Sequence, residues 1–322
     1  MSTPSSALLN QVFAKKHQDP RKVMYGLNIA NQPVVHNANH YINRLLNETA
    51  PPAFQSIPKI DIVNGIRDAL AHTYNNIANQ RDSSLCGPAS FFVSILRQRP
   101  WLYAKAVTEL YSYGITKIGN LVIIPSDATR NFRPKPPTPL TNPIRGTDWV
   151  LLASLRDSEN TNFRYDSPSD KIAGITMPAN MIKWFKQAGA TNIAHDYGIV
   201  FPRDFSNLAK ANDYYSNGFS VCLFINMTMI ANVITFPSPN HWILLTSTIT
   251  SGGNYLTPAI AKQLENDRIM ADMSAGEQDS DFEYDLNFDV YTWGNEYRSV
   301  THTKSDTKDI MNFYYGFVAA KW

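Results

Sequence analysis

Three short blocks in this 322-residue sequence carry side chains whose types and order suit acyl-transfer chemistry. The first runs Gln80-Arg81-Asp82-Ser83-Ser84-Leu85-Cys86-Gly87-Pro88-Ala89. Ala89, Phe92, Val93 and Leu96 follow at helical spacing, so the cysteine falls at the start of an amphipathic helix. A helix N-terminus carries unpaired N–H groups and the positive end of a dipole, and both favour thiolate over thiol. Gly87 permits close approach of a substrate backbone. The Cys86 N–H can face a developing oxyanion, and Gln80, six residues earlier, can supply a second donor from its amide. The second block is Asn240-His241-Trp242-Ile243-Leu244-Leu245, a histidine opening an apolar strand. A neutral imidazole at a sheet end can take a thiol proton and return it to a leaving group. The third is Phe288-Asp289-Val290-Tyr291-Thr292-Trp293-Gly294-Asn295. Strand alternation puts Asp289, Tyr291 and Trp293 on one face. Asp289 is the expected orienter of His241, with Trp293 shielding the bond, and Asp285, Asn287 and Asn295 remain alternatives.

The Gln-x5-Cys-Gly-Pro-Ala block, the Asn-His-Trp strand and the later Asp…Trp-Gly strand resemble papain-like cysteine peptidases, in particular the C39-like branch. The order oxyanion Gln, Cys, His, Asp or Asn is matched by Gln80, Cys86, His241 and Asp289. The likeness spans residues 58–320 loosely and is specific at the three blocks. Two positions depart from it: Tyr291 stands where papain carries Asn, and Val290 follows the aspartate where C39-type members carry Pro. The resemblance implies an α+β fold in which an N-terminal helical part, with the nucleophile at a helix start, packs on a mostly antiparallel C-terminal sheet. It implies thiol hydrolysis of a peptide bond in a protein substrate, without metal or organic cofactor. Large chains of this kind resemble bacterial effector or toxin peptidases used in competition, delivered by a dedicated secretion system and matched by a cognate immunity protein. The same thioester chemistry serves glutamine deamidases, transglutaminases and peptidoglycan amidases, and a silent binding module on the same fold is a further alternative.

Composition agrees with a well-packed chain. Hydrophobic residues make up 43%, charged residues 17% and aromatics 12%. A net charge of +2 without a basic run gives nucleic-acid binding no support. No stretch reaches the roughly 20 apolar residues of a membrane span. The first twenty residues lack the apolar segment of a signal peptide, so a cytoplasmic site in the producing cell is expected. Two cysteines, Cys86 and Cys222, are too few for a disulfide scaffold. The seven histidines show no metal-ligand spacing. The alternation Asp279, Asp281, Glu283, Asp285, Asn287, Asp289 lacks the glycine and terminal glutamate of a calcium loop and suits a solvated strand face. Cys222 lies in an apolar strand and reads as core. His195, next to Asp196, is the rival base, although sequence neighbours seldom orient one another.

The elements that must position these groups follow from periodicity and punctuation. Residues 1–57 read as an N-terminal extension and 58–322 as the peptidase domain, with a proline-rich loop at 125–146 and an insertion at 250–285. Helices are expected from Pro58, capped by Asp61 and carrying Val63, Ile66, Leu70 and Ile77; from Cys86 to Pro100; and over Trp101–Tyr113, closed by Gly114. A short strand is expected within Ile115–Pro125, and Trp149–Ala153 reads as a strand or a buried helix start. Further helices open at Thr176-Met177-Pro178, after Asp204 through Leu208, and over Pro258–Met273 with Thr257 as cap. Phe219–Met227, His241–Ile249, Leu286–Trp293 and Asn312–Ala320 read as strands.

Overall fold

The structure, a computed structural model, describes residues 34–72, 76–81, 83–133, 143–159, 176–231, 238–275, 285–302 and 310–322. The chain is α+β, and every described strand pairing is antiparallel. It divides into two compact units. Of the described residues, the first takes in those up to 72, those within 77–88 and those within 95–159; the second takes in 76, 89–94 and those from 176 onward.

The first unit is built on helices. Helix α1 (Ala38–Asn47) starts at Asn37, whose Oδ1 accepts from the Asn39 N–H at 2.9 Å, and buries Tyr41, Ile42 and Leu45. Residues of the expected N-terminal extension thus belong to this unit's core, and the division of the chain does not fall at residue 57. Helix α2 (Lys59–Ala71) buries Ile62, Val63 and Ile66. Helix α3 (Cys86–Gln98) begins at the predicted nucleophile, and α4 (Pro100–Tyr113) ends at Gly114, whose φ of 68° is the left-handed stop expected there. Most of α4 is buried. Its Lys105 and Glu109 pair at 2.6 Å, and Glu109 also accepts from Arg44 on α1 at 3.3 Å and from Thr116 at 2.7 Å. Each of these charges has a partner, as burial demands. Strands β1 (Thr116–Ile118) and β2 (Leu121–Ile123) form a hairpin, and α5 (Asp127–Asn131) follows. Helix α6 (Gly146–Asp148) continues as a π-helix over Trp149–Ala153 and then as α7 (Ser154–Glu159).

The second unit is an eight-stranded sheet with its own helices. Its elements are α8 (Pro178–Ala188), β3 (Asn192–Tyr197), α9 (Phe205–Ser216), β4 (Ser220–Ile225), β5 (His241–Leu245), β6 (Thr250–Ser251), β7 (Asn254–Tyr255), α10 (Pro258–Ala275), β8 (Leu286–Thr292), β9 (Asn295–His302) and β10 (Tyr314–Lys321). The strand order is β3-β10-β4-β5-β8-β6-β7, with β9 also on β8. One face buries Leu223, Ile243, Leu245, Val290 and Phe317 against Leu208 and Ala211 of α9 and Ala261 of α10. Each such side chain contributes roughly 1.5–3 kcal/mol by leaving water. On the remaining strand positions Trp242 stacks on Phe224, ring centroids 4.5 Å apart, and donates its indole N–H to the Thr176 carbonyl at 2.8 Å. The stretch 89–94 of α3 belongs to this unit: its Phe91 meets Trp184 and Phe185 of α8 at 5.9 and 5.2 Å, and its Ser94 Oγ lies 3.9 Å from Cys222 Sγ.

Several boundaries differ from expectation. Asp61 lies in the first turn of α2 while Pro58 holds the cap position, and the helix stops at Ala71, leaving Ile77 buried in a loop. The apolar run Trp149–Ala153 is helical, which decides between the two readings open in the sequence. Strand β3 is half-exposed at the sheet edge, so it carries no apolar run to betray it. Helix α9 extends well past Leu208, to Ser216. Strand β5 ends at Leu245, short of Ile249, and β8 ends at Thr292, short of Trp293. Residues 134–142 of the proline-rich loop, and Asp279, Asp281 and Glu283 of the acidic alternation, lie outside the described residues.

Candidate active site

Cys86 is the first residue of α3 and is 6% exposed. The preceding residue, Leu85, offers no side-chain cap, so no N-cap oxygen competes for the first-turn N–H groups. Pro88 has no N–H to orphan at this position. The approach to the helix is a loop with an unusual backbone, buried over Ile77, Ala78, Asn79 and Gln80. Asn76, Ala78 and Arg81 adopt φ of 53°, 41° and 51°, all in the left-handed region and none of them glycine. Such residues cost about 1–3 kcal/mol each and persist only where their surroundings hold them. Between Ala78 and Arg81 sits Gln80, itself buried. Its backbone carbonyl accepts from both the N–H (3.1 Å) and the hydroxyl of Ser83, and the Asn79 Oδ1 accepts from the Arg81 N–H at 2.9 Å. Its side-chain Oε1 is buried without a hydrogen-bond partner among the described residues.

The same loop is tied from behind. The Asn79 N–H donates to the carboxylate of Asp148, which is wholly buried. Asp148 is gripped at two points by Arg145, Nε to Oδ2 at 2.9 Å and Nη2 to Oδ1 at 3.3 Å. Burial holds the Asp148 carboxyl above the usual carboxylate range, and Arg145, the Asn79 N–H and Arg81 offset that only in part. Neither Asp148 nor Arg145 is marked by a sequence pattern; an aspartate abutting the apolar run Trp149–Ala153 is the one available signal.

His241 opens β5 and is 4% exposed. Its Nε2 lies 2.7 Å from the hydroxyl of Thr292, a hydrogen bond whose direction follows the ring tautomer. The ring stacks on Trp293, centroids 5.0 Å apart and planes 23° from parallel. Burial pushes the imidazole down to about 3, so the ring is neutral throughout the physiological range. Trp293 and Gly294 form the two-residue turn between β8 and β9, since Thr292 pairs with Asn295. Their φ values of 46° and 84° are those of a type I′ turn. That geometry favours asparagine or glycine, and tryptophan occupies it at a cost.

Asp289, expected to orient the imidazole, is placed elsewhere by the strand register. Leu244 and Leu245 pair with Tyr291 and Val290, and the Asp289 carbonyl accepts from the Thr246 N–H at 2.9 Å. Asp289 therefore stands beside the far end of β5, five strand positions, or roughly 16 Å, from His241. Its N–H donates to Ser247 Oγ at 2.7 Å. Alternation also assigns it the opposite face from Thr292. The alternatives fare no better: Asn287 pairs with Thr250, Asp285 accepts from the Gly252 N–H, and Asn295 is exposed at the start of β9. Thr292 takes the place against the ring. The Trp-Gly pair, readable as a two-residue turn, is the sequence signal that would have ended the strand at Thr292.

The remaining candidates are accounted for. Cys222 is wholly buried in β4. His195 is exposed on the edge strand β3, and Asp196 pairs with Arg203 at 3.2 Å and Lys210 at 3.4 Å. Among the described residues no group of three or more His, Cys, Asp or Glu side chains gathers as metal ligands, and no helix is long and apolar enough to cross a membrane. Gln80 and Cys86 belong to the first unit, and His241, Thr292, Trp293 and Asp289 to the second. No family model, curated protein or solved structure matches the chain.

Proposed function

We propose that the chain is a papain-like cysteine hydrolase that cleaves a peptide bond in a protein substrate, with Cys86 as nucleophile, His241 as general base and Gln80 as oxyanion donor. The observation that carries the reading is the state of His241: a buried, neutral imidazole, tied at Nε2 to Thr292 and clamped on its face by a strained tryptophan. With the ring proton on Nε2 and donated to Thr292, Nδ1 keeps the lone pair that a general base needs. The Nδ1 atom takes the Cys86 proton as sulfur attacks the carbonyl carbon, and the C=O electron pair moves onto oxygen. The Cys86 N–H and the Gln80 amide hold that oxyanion. The imidazolium then returns its proton to the leaving amine as the C–N bond breaks, and water hydrolyses the thioester. The bacterial effector or toxin role, with delivery by a secretion system and a cognate immunity protein, rests on the resemblance of the three sequence blocks.

The test is expression in a bacterial cytosol of wild type and Cys86→Ala, followed by a proteome-wide survey of new N-termini. Cleavage products present with wild type and missing with the variant support a protease. A mass increase of about one unit on glutamine side chains, without new termini, would instead assign deamidation. Identical proteomes from the two strains, together with no selective alkylation of Cys86, would remove the hydrolase reading.

A further inference from the structure

We infer that Asp148 is a positioning residue for the oxyanion donor: held at two points by Arg145, its buried carboxylate accepts from the Asn79 N–H and so fixes the left-handed Ala78–Arg81 loop that presents Gln80. This rests on the cysteine-hydrolase reading and adds to it the means by which the donor is held.

A loop with left-handed residues at Ala78 and Arg81, on either side of Gln80, does not hold its shape unaided. Something with a fixed position must over-determine it. Within the loop, the Asn79 side chain reaches the Arg81 N–H and Ser83 reaches the Gln80 carbonyl. These bonds make the turn, and Asp148 ties it to α6. It sits where α6 passes into the π-helix Trp149–Ala153, whose five residues are all wholly buried, so its Cα is rigid. Arg145, one turn earlier, holds the carboxylate in a planar two-point grip that also sets its rotation. The carboxylate also accepts from the N–H of Asn79, the residue before Gln80. Arg81, the residue after it, adds an attractive charge on the same carboxylate. The clamp thus acts on both neighbours of the donor. An ordinary structural ion pair would not need to reach the backbone of a strained loop, and a shift of even one ångström in an oxyanion donor is costly to rate.

Two reactions of Cys86 separate positioning from folding. Iodoacetamide alkylates the thiolate by displacement at carbon, forming C–S as iodide leaves, and no oxyanion forms. p-Nitrophenyl acetate acylates it: the thiolate adds to the carbonyl, an oxyanion forms and collapses, and p-nitrophenolate departs as the C–O bond breaks. Both rates are followed on the full chain, with peptide mapping to locate the label. Gln80→Ala and Asp148→Ala are each expected to slow acylation about 100-fold, the effect of losing one oxyanion donor. The double variant is expected to fall no more than about threefold further, because the two act on one bond. Alkylation is expected to stay within about twofold throughout. Asp148→Asn, which keeps one carbonyl acceptor, is expected to recover at least about tenfold of the loss. If the alanine variant does not fold, Arg145→Lys, which loses the two-point grip, carries the comparison with an expected loss of about tenfold. Acylation by Asp148→Ala within threefold of wild type, or an equal loss of both reactions, would overturn the inference. If wild type itself is not acylated at Cys86, the hydrolase reading fails, and amide exchange decides the clamp alone. Loss of protection at the Asn79 N–H in Asp148→Ala, with Trp149–Ala153 unchanged, supports it; unchanged protection at Asn79 rejects it.

Discussion

Thr292→Val against Asp289→Asn tests which residue orients the imidazole. Valine replaces the threonine hydroxyl by a methyl of similar shape, so the side chain stays packed while the His241 Nε2 loses its partner at 2.7 Å. Both residues are buried, so water cannot substitute, and an unsatisfied buried ring nitrogen costs about 1–3 kcal/mol. A similar part of that energy appears in the reaction, because in the proposed mechanism the ring donates from Nε2 to Thr292 and accepts at Nδ1. The expected loss is therefore about 10- to 100-fold in Cys86 acylation. Asp289 acts at most through its charge. At roughly 16 Å and an effective dielectric near 20, that interaction is about 1 kcal/mol before screening, and the distance exceeds the Debye length of about 8 Å in physiological salt. Asp289→Asn is thus expected to stay within about threefold of wild type. Thr292→Ser, which restores the hydroxyl, is expected to do the same. Stopped-flow acylation by p-nitrophenyl acetate and urea unfolding measure the two consequences. If Asp289→Asn loses as much rate as His241→Ala while Thr292→Val acylates normally, the register argument is wrong.

The remaining predictions concern the same histidine and its neighbour. A folded-state value of about 3 for His241, against about 6.5 in the unfolded chain, means that the unfolded state binds the proton first. The neutral ring costs nothing above pH 6.5, and folding stability falls by about 1.4 kcal/mol per unit as pH drops from there toward 3. Between pH 7.5 and 5.0 wild type should therefore lose about 2 kcal/mol more than His241→Gln in urea titrations, and equal losses would show that the ring is not buried as described. Trp293→Gly removes a large side chain from a turn position that favours glycine, a relief of about 1 kcal/mol, but also removes the ring stacked on His241. The variant is expected to acylate more slowly at unchanged or higher stability, and a loss of stability beyond about 2 kcal/mol would mean that the stack outweighs the strain.

Much of this was legible in the sequence, for local reasons. The start of α3 at Cys86 follows from an apolar face of helical period and a proline that fits the first turn. The stops at Gly114 and Gly189 follow from the left-handed conformations that glycine alone adopts freely, with φ of 68° and 97°. Asp204 caps α9 and Thr257 caps α10 as their side-chain oxygens predict, accepting at 2.8 and 3.2 Å. The buried strands β4, β5, β8 and β10 announce themselves by runs of apolar and β-branched residues.

What surrounds the chemistry was decided by tertiary structure. Alternation correctly separated Asp289 from Phe288 and Val290, but a strand's faces say nothing about which position along it meets a neighbour. Register is set by pairing between β5 and β8, residues some 50 positions apart, and it brings Thr292 rather than Asp289 against His241. The buried Asp148 and Arg145 escaped for the same reason. In sequence they are one acid and one base three residues apart, as common on a surface as inside. Only the closing of the first unit around them makes their charge expensive, their pairing obligatory and their reach to Asn79 consequential.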